Sequence, residues 1–186
     1  MSELSISALM NAGGEMLQRA HASLKEQARL IDRLSGSIGD NFAGAARLLD
    51  ACTGQVVVAV PESLARAGVA IAAALEASGF DARPVAGPAP DELAGHLCEQ
   101  DLLLLVDPEP AHWLAALARF EGPIVILGGE EESFTTCTRV QLPVCIDRSG
   151  CPDYLFSAVS ELAFIALGDA LIAALGRQGR RAAPEI

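Results

Sequence analysis

The chain has 186 residues, 51% of them apolar and only 4% aromatic, and its 24 acidic against 13 basic side chains give a formal net charge of -11. That length suits one domain with a core of Ala, Leu, Val and Ile and no disulfide or metal staples, and the acidic balance repels polyanions, so nucleic acid is not expected as a partner. No long uncharged apolar stretch would span a bilayer and no basic leader precedes Glu3, so the expectation is a cytosolic protein with no membrane association.

From Glu15 to Leu34 the apolar positions Leu17, Ala20, Leu24, Ala28, Ile31 and Leu34 recur every three or four residues among charged ones, which predicts an amphipathic helix. Leu17, Leu24 and Ile31 lie seven apart, so this stripe packs either on its own domain or on the same helix of another subunit, the basis for expecting a homo-oligomer through N-terminal helices. After the break at Ser35-Gly36-Ser37 a second helix starts near Asp40, carries Phe42, Ala45, Ala46, Leu48, Leu49 and Cys52 on its buried side, and stops at Thr53-Gly54. The run Gln55 to Val60 is a nearly continuous apolar stretch rich in valine, the mark of a strand covered on both faces.

The alternation continues with a helix over Glu62 to Ser78, a strand over Ala82 to Ala86, and a helix over Asp91 to Cys98. Then come a strand over Leu102 to Val106, a helix over Ala111 to Arg119, strands over Ile124 to Leu127 and Val140 to Ile146, and a last helix over Tyr154 to Leu175. Gly79, Gly122 and Gly176 stand where helix C-terminal caps belong. Strand and helix alternation with right-handed crossovers predicts an α/β fold, a doubly wound parallel sheet of about five strands flanked by helices, with an N-terminal helical extension. One domain is expected over 1–186, with N-terminal helices over 1–53, an α/β core over 54–176 and a tail over 177–186. The tail carries the one basic cluster, Arg177, Arg180 and Arg181, read as a solvated end.

Three segments carry a resemblance to a known family. They are the helix end and strand from Phe42 through Ala51-Cys52-Thr53-Gly54 to Gly79, the strand Asp101 to Val106 opening on an aspartate, and Cys151-Pro152 with Ala166-Leu167-Gly168-Asp169-Ala170-Leu171. In their order and spacing these resemble the sugar isomerase (SIS) domains of phosphosugar isomerases, above all the arabinose 5-phosphate isomerase and 6-phospho-3-hexuloisomerase branches. The resemblance implies the SIS fold and a carbohydrate-derivative ligand.

The residues that carry chemistry in that family are replaced. Its first loop, G-x-G-K-S-G, lets the backbone approach the ligand and adds a positive charge; here Val60-Pro61-Glu62-Ser63-Leu64-Ala65 stands at those positions, with Ser63 in place of the lysine. Pro61, Glu62 and Ser63 read instead as helix-start chemistry. The second family loop, S-x-S-G-x-T, is a nest of hydroxyls and amides; here Asp107-Pro108-Glu109-Pro110-Ala111-His112 replaces it, and its carboxylates repel a dianion. The family's glutamate and histidine between these loops fall near Pro88 and Asp91, and its glutamate before Cys151 is replaced by Ser149 and Gly150.

One family carboxylate survives: Glu161, eight residues before Asp169, is placed like the hexuloisomerases' last-helix glutamate. It is the candidate proton-abstracting base, with Asp91 or His112 in support, if burial raises its pKa; a glutamate placed by the helix dipole is the alternative. Ser63, Glu109, His112, Ser133 and Thr135 are the candidate ligand-cleft residues, the last two the remaining hydroxyls near the sheet's carboxyl edge. His96 reads as a surface or satisfied histidine, and Glu130-Glu131-Glu132 as a solvated turn. Cys52, Cys98, Cys137, Cys145 and Cys151 contain no C-x-x-C pair; they read as reduced, mostly buried thiols, and no metal or cofactor is expected. The expected function is a degenerate SIS-domain protein that binds a carbohydrate derivative or serves as a scaffold, with an aldose-ketose isomerase using Glu161 as the alternative.

Overall fold

The computed structural model describes residues 3–36, 38–129, 138–144 and 153–176. Five strands, β1 (Val56–Val60), β2 (Ala82–Ala86), β3 (Leu102–Val106), β4 (Ile124–Leu127) and β5 (Arg139–Leu142), form one parallel sheet in the order β2-β1-β3-β4-β5. Around it run α1 (Glu3–Gly36), α2 (Asp40–Ala51), α3 (Ala65–Ala77), α4 (Pro90–His96), α5 (Leu114–Leu117) and α6 (Asp153–Ala174), with 3-10 turns at Glu62–Leu64 and Pro110–Trp113. The doubly wound parallel sheet read from the sequence is the observed fold.

The strands sort their side chains by alternation. Val56, Val58, Val60, Leu104 and Val106 join the core under α1, α2, α3 and α6, while Val57, Ala59, Leu103, Leu105, Ile124 and Ile126 pack on the other face against Leu93, Trp113, Leu117 and Phe120. The chain moves one way from β1 to β2 and back from β2 to β3, and the handedness of crossovers then sets α3 and α4 on opposite faces. At the edge, β2 tolerates Pro84, which has no N–H to give to a further strand.

Close approaches explain the segments that resemble the family. A Cβ on Gly168 would lie 2.9 Å from Ile71 Cγ1, so this glycine seats α6 on α3. Asp101 Oδ1 accepts the backbone N–H of Gln55 at 2.9 Å and its Oδ2 that of Cys98 at 2.9 Å, clamping the amino edge of β1 and β3 with Gly54 packed beneath. Beyond α3, Gly79 at φ 88 donates to Glu76 O and Phe80 to Leu75 O, which is the Schellman cap.

Several expectations are corrected. The first helix begins at Glu3 rather than Glu15, running on through Gly13-Gly14. Neither Glu62 nor Ser63 caps a helix: Pro61 leads a 3-10 turn, and no side chain caps α3. Gly122 has no left-handed backbone; it is small because Phe120 and Glu99 O crowd it. The helix read over Ala111 to Arg119 is a 3-10 turn followed by one α-turn. Cys52 is buried but Cys98 is exposed. Leu30 and Leu34, not Leu17, Leu24 and Ile31, fasten α1 to the body. The described part of the last strand ends at Leu142, and Ile146, the other three cysteines and the basic tail lie outside the described residues.

Candidate functional site

In an open parallel sheet the crevice lies beyond the carboxyl ends of the strands flanking the topological switch. Here these are β1 and β3, which run into Pro61 and Asp107. The turn after β3 is organised from within. Asp107 is buried; its Oδ1 accepts the Glu109 backbone N–H at 2.8 Å, an Asx-type turn, and its Oδ2 accepts the Trp113 indole N–H at 3.0 Å. His112 rests on Trp113 with ring centroids 5.6 Å apart. Its Nδ1 lies 2.9 Å from Glu109 O and its Nε2 3.6 Å from Asp107 Oδ2. Glu109 and His112 are thus brought together, both exposed, on a turn whose inward carboxylate is engaged by its own chain.

The neighbouring strand end closes against this turn. Gly128, at φ 135, lies so near that a Cβ would sit 1.7 Å from Asp107 O. Gln141, buried in β5, donates from Nε2 to Gly128 O at 2.8 Å, and its Oε1 finds no partner among the described residues. At the β1 end Ser63 is exposed, and Glu62 leans over Gly87, where a Cβ would meet its Oε2 at 3.0 Å.

Glu161 is the ninth residue of α6, well past the first turn in which a helix dipole acts. Its side chain keeps only 16% of its surface exposed and faces the exposed Arg66 of α3, Oε1 to Nε 3.5 Å, an ion pair without a hydrogen bond. Asp91, expected in support of Glu161, belongs to α4 on the opposite face of the sheet and pairs with Arg119 at 3.4 Å; the two carboxylates do not share a site. His96 turns its Nδ1 to Glu92 O at 2.7 Å, a surface contact within α4. Ser133, Thr135 and Glu130-Glu131-Glu132 lie outside the described residues.

Sequence reasoning missed Arg66 and the inward role of Asp107. Arg66 was readable as a cation one helical turn after Ser63, and Asp107 as an Asx-turn former ahead of Pro108. A cavity of about 300 Å³ opens elsewhere, between the start of α2, the end of β5 and α6, lined by Phe42, Leu142, Pro143 and Leu167 among others. None of Glu161, Ser63, Glu109 and His112 lines it. Among the described residues no three His, Cys, Asp or Glu side chains group as metal ligands, and no helix there is long and apolar enough to cross a membrane.

No family model matches the chain. A curated relative, the arabinose 5-phosphate isomerase GutQ of Salmonella typhi, is 28% identical over 177 residues, covering 90% of this chain and 52% of that protein, so the chain spans about half of its relative's length. Among solved structures, a candidate sugar-phosphate isomerase from Listeria monocytogenes superposes with a TM-score of 0.69 at 19% identity, over 94% of this chain and 91% of that one. The sugar isomerase domain of an RpiR transcription factor from Sphaerobacter thermophilus gives 0.67 at 15% identity, over 86% and 90%. In fold the chain is similar to solved sugar-phosphate isomerase and sugar isomerase domain structures, and in sequence to an arabinose 5-phosphate isomerase.

Proposed function

We propose that this is a non-catalytic SIS domain, a homo-oligomer that holds an uncharged or cationic carbohydrate derivative at the carboxyl edge of its sheet or serves as a scaffold. The observation that carries this reading is the turn after β3. Asp107 consumes the Glu109 amide and the Trp113 indole N–H, so donors that would otherwise face a phosphate dianion are spent inside the turn, and Glu109 is left at its surface. The turn after β1 adds Glu62 and the donorless Pro61 in place of glycines and a lysine. The acidic chain is assigned to the cytosol, as one domain over 1–186 with no nucleic-acid or membrane partner.

The test is thermal unfolding against a panel of neutral sugars, amino sugars and sugar phosphates. A ligand at a hundred times its Kd stabilises by about 2.7 kcal/mol, which raises Tm by roughly 5–10 °C in a domain of this size. A neutral or amino sugar is expected to give such a shift and ribulose 5-phosphate or arabinose 5-phosphate none. A sugar phosphate that shifts Tm at micromolar concentration, and loses the effect on Ser63→Ala or Glu109→Ala, overturns the reading.

The second reading, an aldose-ketose isomerase with Glu161 as base, is favoured by the burial of that carboxylate and its Oε1 without a hydrogen bond. Turnover of a pentose or hexulose phosphate that falls at least about 100-fold in Glu161→Gln supports it, in line with the loss of a positioned base; absence of turnover removes it.

A further inference from the structure

The register of the sheet aligns Ala59, Leu105, Ile126 and Gln141 in one row across β1, β3, β4 and β5. The first three pack on the face of Trp113 and Leu117, and strand alternation turns Gln141 to the same side, because Val140 and Leu142 join the opposite core. Gln141 keeps only 1% of its surface exposed. A leucine or valine would complete such a row with no polar group to satisfy, whereas a buried amide is stable only where both of its ends find partners.

One end is provided for. Nε2 donates to Gly128 O at 2.8 Å, and that carbonyl fixes the direction of the amide, since the reverse orientation would set two oxygens face to face. Oε1 is therefore the end turned away, and it is buried with no hydrogen-bond partner among the described residues. The groups around it do not supply one. Gly128 N–H is given to Leu142 O and Val144 N–H to Gly129 O. A Cβ on Gly129 would run into Nε2 and stand 3.3 Å from Pro110 Cγ, so the amide lies near Pro110, which has no N–H to offer.

From this atom we infer that the carboxyl ends of β4 and β5 hold one small hydrogen-bond donor on Gln141 Oε1, either a water molecule or, in its place, a hydroxyl of an uncharged or cationic ligand. Buried polar groups that the chain itself leaves unmet are met by enclosed waters. The atom also selects. Water, a hydroxyl and an ammonium carry protons to give, but a phosphate dianion or a carboxylate brings only further acceptors. As a site for a ligand hydroxyl the inference rests on the carbohydrate reading above and adds the residue that reads the ligand; as a water site it rests on the geometry alone.

The experiment is nuclear magnetic resonance of the full wild-type chain, with the Gln141 side-chain amide assigned by isotope labelling. In the free protein a cross-peak from water to this amide is expected, with NOE and ROE of opposite sign, as for a water held by the protein rather than passing over its surface. D-arabinose and D-glucosamine are then added in turn. Where one binds, the water cross-peak is expected to give way to contacts with the sugar, and Gln141→Met, which keeps the length of the side chain, to raise that sugar's Kd about three- to tenfold. A water cross-peak that survives saturation by the sugar makes water the donor and keeps the site. The same cross-peak where neither sugar binds also keeps it, while the carbohydrate reading fails for both. A Gln141 amide that shows neither a water contact nor a sugar contact overturns the inference, whatever the sugars do to Tm.

Discussion

Asp107 shows how one carboxylate decides what a strand end can do. It sits where a ligand loop would open, yet both of its oxygens serve the turn itself, and its removal would take the Trp113 indole donor's buried partner and undo the turn at Glu109. Asp107→Ala is therefore expected to cost about 1–3 kcal/mol, read as a lowered urea midpoint at unchanged m-value. Gly128→Ala should cost at least as much, because its Cβ would be driven into Asp107 O at a backbone conformation that only glycine adopts freely. Glu161→Gln, by contrast, breaks only an ion pair to an exposed arginine and is expected to change stability by less than about 1 kcal/mol. The residues of the two strand-end turns, Pro61 to Ser63 and Asp107 to His112, were legible one by one in the sequence. The inward turn of Asp107 and the meeting of Arg66 with Glu161 were not, since the first depends on a side-chain direction and the second on two helices far apart in the chain.

Among elements, legibility follows how strongly a segment's own pattern constrains it. β2, β3 and β4 fall where the sequence places them, because short apolar runs bounded by glycine, proline and charge leave little freedom. α5 does not: Ala111 to Arg119 has helical composition, but Asp107 and Pro110 impose a 3-10 turn and one α-turn is left. α1 is longer than its amphipathic pattern: it runs back through Gly13-Gly14 to Glu3. The block around Gly168 resembled the family without a stated cause, and the structure supplies one in the close seating of α6 on α3. Gly168→Ala is expected to cost about 1–3 kcal/mol by overpacking against Ile71, measurable as a fall in Tm with secondary structure retained.

At the scale of the whole molecule the two faces of the sheet are unequally covered. The end of α1 together with α2, α3 and the 22-residue α6 protect one face, while α4 with seven residues and α5 with four protect the other. Amides of α4 and α5 are therefore expected to exchange with solvent through local openings, ahead of those of β1, β3 and α6, which should exchange only on global unfolding; equal protection of both faces would contradict this account. The turn carrying Glu109 and His112 belongs to the thinner layer, so whatever grips it also settles that layer. The edge strand β2 has a further consequence. Pro84 interrupts the row of donors on which a foreign strand would template itself, so at that margin growth into fibres by strand addition is blunted.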